Sequence, residues 1–301
     1  MLQHTIDGLA RGASYALLAL GFTLVFGVLR RVNLAYGASI MLGIYLAIWI
    51  AQRWHIGLLL LAPAVMAVTM AAGVYVERLC FAPHAQLSRH NQRAAVTSMA
   101  ASFAVWMQLE ELATLLLPRH TYAFPSPFDL TVAATGALAV RLEHLVALAA
   151  AAGVALGLWA LLYRTRFGLA VRAMIDSRPA AACIGINVPR ISALIFALAS
   201  ALGGAAGYLI VSIDGQVTPM FAMWATLKGM IAAMLGGLGS LPGALAGGLM
   251  LGLLETYSQS LFGPQYRDLC GYGLLFAVLC LCPAGLSTLW RGVNGEGGRH
   301  G

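Results

Sequence analysis

Apolar residues run along this chain in long unbroken blocks, rather than alternating or recurring on one face of a helix. "GASYALLALGFTLVFGVL" (12–29) and "LVALAAAAGVALGLWALLY" (145–163) are typical. Each is close to the twenty residues that a helix needs to cross ~30 Å of hydrocarbon. Blocks of this kind predict helices near 9–29, 34–51, 57–79, 94–117, 142–163, 191–212, 222–236, 242–260 and 269–289. The implied fold class is all-α, a polytopic transmembrane bundle of about nine spans. Eight is the alternative, because 222–260 also reads as one crossing plus a re-entrant piece. Residues 1–290 form a single transmembrane domain in this reading, and 291–301 a short basic tail. Dyad alternation is missing, so a transmembrane β-barrel is excluded.

Composition agrees with the pattern: 60% of residues are hydrophobic and only 10% charged. Soluble domains carry about a quarter charged residues. The formal charge of +7 invites a nucleic-acid partner, but the arginines sit in short loops between apolar blocks. Membrane topology explains them better, since basic residues accumulate on the cytoplasmic side. With the 164–190 loop inside and nine alternating spans, twelve arginines fall inside and five outside, leaving Lys228 in a span. The orientation is then N-out, C-in, in the inner membrane of a cell. The first apolar run is too long for a signal peptide and lacks a basic flank. Five cysteines (Cys80, Cys183, Cys270, Cys280 and Cys282) form no CxxC pair, and no metal-ligand spacing occurs.

One segment departs from the greasy pattern. "RTRFGLAVRAMIDSRPAAACIGINVPR" (164–190) carries five arginines and one aspartate between two long apolar runs. Within it "DSRPAAACIG" has the grammar of a short helix: Ser177 can cap the start, Pro179 suits the first turn, and Gly185 can end it in the left-handed conformation. The alanines leave a small, smooth surface that another protein can approach closely. A plain basic loop, kept only for topology, fits the residues equally well.

The segment resembles the cytoplasmic loop of permeases from ABC importers of the branched-chain amino acid family. The matching residues are Gly168, the pair Arg172-Ala173, Ala181, and Gly185-Ile186-Asn187. "GASYALLALGFTLVFGVLRRVNLAYGASIMLGIYLA" (12–47) resembles the family's N-terminal signature, and "MLGGLGSLPGALAGGLMLGLLE" (234–255) its Gly-rich hairpin ending in Glu. Tyr36 departs from the pattern, where the family usually has His. The resemblance implies that the loop is a coupling helix seated on an ATPase subunit, with Gly168, Arg172, Ala173, Ala181 and Gly185 serving that contact and Ala181 facing the ATPase groove.

"RRVNLAYGAS" (30–39) breaks two apolar blocks with Arg, Asn and Gly. A plain turn and a broken helix lining a pathway stand level on the residues alone. The resemblance places Asn33, Tyr36 and Gly37 near the translocation route. "LGGLGSLPGALAGG" lacks the Gly-Lys-Ser/Thr ending of a phosphate loop, so this chain is not expected to bind ATP. Its glycines Gly239, Gly243, Gly247, Gly248 and Gly252 recur at spacings that let helix backbones approach closely, and Gly203/Gly207 repeats the device. Lys228 and Glu255 are charges at membrane depth, costly unless paired or drawn to the surface. A hairpin around Ser240 would let them pair; separate snorkelling to the outer surface is the alternative. Glu110, Glu111, Arg119, His120 and Asp129 gather around a Pro-rich outer loop that reads as solvated, or as a contact for an outside partner.

Taken together, the resemblance implies a permease subunit that performs no chemistry. Its partners would be membrane lipid, a second related permease, two ATP-binding subunits that hold ATP and Mg, and a periplasmic or lipid-anchored substrate-binding protein. The solutes that fit are branched-chain amino acids, with urea, short amides or aromatic acids as alternatives. An ion-coupled secondary transporter is the rival from another class, and Glu255 is its main candidate for a coupling carboxylate.

Overall fold

A computed structural model describes residues 2–30, 33–54, 58–81, 92–116, 122–124, 131–135, 138–218 and 220–281. Each of the nine apolar blocks is helical over its described residues, apart from the turn at Leu34 and Ala35 that leads into the second. They are α1 (Leu2–Leu29), α2 (Tyr36–Trp54), α3 (Leu58–Val76), α4 (Gln92–Leu116), α5 (Leu142–Arg164), α8 (Val188–Asp214), α9 (Phe221–Gly236), α10 (Leu241–Phe262) and α11 (Arg267–Leu281). A π turn, Glu77–Phe81, continues α3, and one 3-10 turn, Pro264–Tyr266, precedes α11. Two shorter helices, α6 (Arg166–Asp176) and α7 (Arg178–Cys183), fill the basic loop. The tail 291–301, Arg119, His120, Asp129 and Cys282 lie outside the described residues.

Strands occupy places where the sequence pattern suggested only loop. β1 (Tyr122–Ala123) pairs antiparallel with β4 (Gln216–Val217), and β2 (Thr131–Thr135) with β3 (Leu138–Arg141). Phe124 extends the first contact, donating its N–H to the Gly215 carbonyl at 2.9 Å and setting its ring edge-on to Tyr208. The stretch after α4 is thereby fastened over the end of α8. The fold nonetheless remains that of a helical membrane protein.

Helix α1 is the axis of the bundle, packing against α5, α8, α9 and α10. Over its most apolar window it is 89% buried, whereas α5 is 22% buried and turns most of its surface outward. Small residues permit this central position. A Cβ on Gly248 or Gly252 of α10 would run into the backbone of Ala16 or Gly12 of α1, so the two helices meet backbone to backbone. Gly247 likewise abuts α9 at the Ala232 carbonyl. Among the described residues, four helices (Gln3–Leu29, Leu60–Phe81, His144–Arg164 and Val188–Asp214) are each long and apolar enough to cross a membrane. Helices α9 and α10 qualify together, with an axis turn of 118° between them. They make a splayed corner rather than the parallel-sided hairpin expected from the sequence.

The corner follows from its residues. Gly237 and Gly239 hold φ values of +94° and +93°, which non-glycine residues rarely adopt. Ser240 then caps α10, its Oγ accepting the Gly243 N–H at 3.1 Å, with Pro242 in the first turn. Gly239 also lies against Gly27, which brings the corner onto the end of α1.

Candidate functional sites: a capped loop helix and a buried charge network

The loop between α5 and α8 is built by successive caps. Thr165 starts α6, its Oγ1 accepting the Gly168 N–H at 3.2 Å. Gly168 is pressed onto the Leu162 backbone, where a side chain has no room. Residues Gly168, Val171 and Met174 form the buried stripe of α6. Arg172, exposed beside that stripe, lies over the Tyr163 ring at 5.4 Å. The Ala173 carbonyl accepts the Ser177 N–H at 3.1 Å and ends the helix. Ser177 then turns its Oγ to the Ala180 N–H and starts α7.

The exit from α7 assigns a task to each residue of the "GIN" triplet. Gly185 takes φ +88° and bonds the Ala182 carbonyl, while the Ile186 N–H bonds the Ala181 carbonyl at 3.0 Å. That double closure is a Schellman cap. Asn187 opens α8, its Oδ1 accepting the Arg190 N–H at 3.1 Å.

Ala181 does not face outward as expected. It is buried against the protein's own body, because the helical period turns it inward beneath the Schellman closure. The outward surface consists of Pro179, Ala180, Ala182, Cys183 and Ile184, and Ile184 is 74% exposed. Gly185 is exposed beside them, whereas Gly168 is enclosed.

Asn33, Tyr36 and Gly37, expected beside the translocation route, are enclosed by protein in this conformation. The Asn33 carboxamide accepts the Ala35 N–H at 3.1 Å and leads the chain into α2. The Gly37 N–H donates to Thr226 Oγ1 of α9, and a Cβ at Gly37 would collide with the Ala222 carbonyl. Tyr36 fills notches left by Gly21 on α1 and Gly203 on α8, reaching the carbonyls of Leu18 and Ala199 at 3.4 and 3.3 Å. In this state all three residues act as packing and hydrogen-bonding groups.

Lys228 and Glu255 meet as a direct ion pair, although both side chains are 0% exposed. They belong to a larger network. Lys228 Nζ also bonds Asp268 Oδ1 at 2.7 Å, and Arg267 Nε bonds Glu255 Oε2 at 3.0 Å. Tyr15 donates its hydroxyl to Glu255 Oε2 at 2.9 Å, and receives Arg267 Nη2 at 2.5 Å. Two formal positive charges balance two negative ones, and no buried side-chain atom of these five residues is left without a hydrogen bond, as buried charge requires. The rings of Trp224 and Tyr272 flank the ammonium at 5.8 and 5.5 Å.

The network reaches the surface at Asp268 and Arg267. Asp268 is about half exposed, and a narrow cleft between Arg11, Asp214, Ile210 and Arg267 reaches its edge. Arg11 and Asp214 stand 3.6 Å apart at the mouth.

Sequence reasoning singled out the pair and missed Tyr15, Arg267 and Asp268. Arg267 and Asp268 looked like loop residues, being the last polar pair before an apolar block. As the first turn of α11 they point back into the bundle. Glu110 is half-buried and Glu111 exposed on α4. Among the described residues, no three His, Cys, Asp or Glu side chains converge as metal ligands.

Comparison with known proteins gives a consistent result. The family described as "Branched-chain amino acid transport system / permease component" matches residues 4–279. The high-affinity branched-chain amino acid transport system permease protein BraD of Pseudomonas aeruginosa is 32% identical, over 95% of each chain. The corresponding LivH protein of Escherichia coli is 29% identical over 95% of this chain and 94% of its own. A probable branched-chain amino acid transport permease LivH from Methanocaldococcus jannaschii is 27% identical over 91% of this chain and 89% of its own. The solved structure of PsaBC from Streptococcus pneumoniae in complex with Fab covers 98% of the chain at a TM-score of 0.48 and 11% identity, too distant to bear on function.

Proposed function

We propose, from the premise that the chain belongs to the branched-chain amino acid transport permease family, that it is one of two permease halves of an ABC importer for leucine, isoleucine and valine. The second half is a related permease. Two ATP-binding subunits hold ATP and Mg and dock on the basic loop, and a substrate-binding protein delivers the amino acid from outside. The loop 164–190 lies in the cytoplasm, with the N-terminus outside, the C-terminal tail inside, and nine spans in the inner membrane.

The observation that carries this reading is the exposed face of α7. A six-residue helix, capped at both ends, presents Ala180, Ala182, Cys183 and Ile184 on its exposed face. Such a surface is stiff enough to transmit a push and smooth enough to seat in a groove. An ordinary topological loop needs neither property. The mechanism follows: nucleotide-driven closure of the ATPase subunits displaces α7, the bundle around α1 shifts, and the pathway between the two permeases changes its open side. This chain contributes positioned helices, and the energy comes from hydrolysis by its partners.

The test is purification of the tagged permease with its candidate ATPase subunits, followed by ATP hydrolysis in lipid nanodiscs. The reading predicts co-purification, and hydrolysis stimulated by the binding protein loaded with leucine. Failure of the ATPase subunits to bind would refute it.

A further inference from the structure

We infer that Arg178 is the positioning residue that fastens the loop helix to the central helix α1, so that displacement of α7 is delivered to α1 and along it to the charge network around Tyr15. The inference rests on the proposed permease reading and adds the element that carries the motion inward.

Arg178 is the first residue of α7, so its backbone moves with that helix. Its Nη2 donates to the Val28 carbonyl at 3.1 Å, across 150 residues of sequence. That carbonyl lies in the last turn of α1, where the helix leaves its acceptors without an internal donor. Arg30, at φ +49° with its N–H on the Phe26 carbonyl, ends the helix two residues beyond Val28, whose oxygen takes the Arg178 side chain. A cation is also the favoured group there, since it meets the negative end of the helix dipole. Neighbouring arginines engage different partners: Arg164 and Arg172 lie over Trp159 and Tyr163 of α5.

The other end of the rod is held as well. From Val28 to Tyr15, α1 runs as one unbroken helix for about 20 Å, at 1.5 Å per residue. Tyr15 is locked to Glu255 of α10 and Arg267 of α11, and four residues further on Arg11 faces Asp214 of α8. Backbone contact between α1 and α10 at Gly248 and Gly252 leaves little slack between the two. A shift of the α1 end nearest α7 therefore reaches the helices that enclose the ions.

The experiment uses the complete importer in proteoliposomes and reads three quantities: subunit assembly, ATP hydrolysis, and leucine molecules moved per ATP. Arg178→Gln is expected to assemble and hydrolyse ATP while leucine moved per ATP falls about tenfold, the factor corresponding to one lost charge-assisted hydrogen bond. Arg178→Lys, which keeps a cation within reach of the carbonyl, is expected to recover most of the ratio. An unchanged ratio in Arg178→Gln overturns the inference. So does loss of the ATPase subunits from that variant, since Arg178 would then be a docking residue. A wild-type complex that neither assembles nor transports would instead count against the permease reading itself.

Discussion

Lys228 and Glu255 form an ion pair that no solvent reaches, although they belong to helices separated by a sharp corner. Asp268, Arg267 and Tyr15 surround it, so four helices (α1, α9, α10 and α11) share one cluster of charge. Pairing inside a larger network differs in consequence from an isolated bridge, because each member keeps some partners when another is removed.

The substitutions at this pair should therefore be unequal. Lys228→Met leaves Glu255 with Arg267 and Tyr15, whereas Glu255→Gln removes the negative charge that Lys228 and Arg267 share, leaving two buried cations facing the single carboxylate of Asp268. Breaking a buried pair costs about 3–5 kcal/mol, and Glu255→Gln should fall in that range while Lys228→Met costs less. The double mutant should recover part of the loss, with a coupling term of about 0.5–3 kcal/mol in unfolding measurements on the detergent-solubilised protein. Strictly additive losses would mean that the two charges act separately.

At the loop helix, orientation decides which alanine matters. Ala182→Glu places a charge on the exposed face and should leave the permease folded while abolishing co-purification of the ATPase subunits. Ala181→Glu forces a carboxylate into the protein's own packing, so it should lower the melting temperature of the isolated permease. Equal effects on stability from both variants would show that the outward face is misassigned.

How much of this was legible in the sequence differs from element to element. Unbroken apolar blocks located the helices, and Ser177, Pro179 and Gly185 marked the ends of α7, because caps are local chemistry. The inward turn of Ala181 was hidden, since it depends on what lies beneath the helix. Gly248 and Gly252 were readable as a packing face, but their partners Gly12 and Ala16 were not, because helix pairing is set at long range. The charge pair could be suspected from the cost of membrane-buried charge; Tyr15 gave no signal among the apolar residues of α1. Short strands at 131–135 and 138–141 were obscured by a composition that suits a loop equally well.

Two glycines offer a matched comparison of packing. Gly252 abuts the Gly12 backbone, whereas Gly153 on α5 has open space where a Cβ would stand. Gly252→Ala should destabilise the permease by about 1–3 kcal/mol through overpacking. Gly153→Ala should be neutral, or stabilising by up to about 1 kcal/mol, because it only removes backbone freedom. Thermal unfolding of the two variants side by side checks the α1–α10 contact.

Orientation has its own probe. Cys183 is exposed on α7 and Cys80 buried. An impermeant maleimide should label Cys183 in inside-out vesicles and leave it unmodified in intact cells, with the other four cysteines replaced by alanine or serine. Modification in intact cells would reverse the topology.

The most direct measurement is uptake. Proteoliposomes containing this chain, its partner permease and both ATPase subunits, with ATP enclosed and loaded binding protein outside, should accumulate radiolabelled leucine against a gradient. Accumulation should stop when ATP is replaced by a non-hydrolysable analogue, and should persist when ion gradients are collapsed. Uptake that ignores ATP but follows an imposed proton or sodium gradient would contradict the account, and would identify an ion-coupled carrier instead.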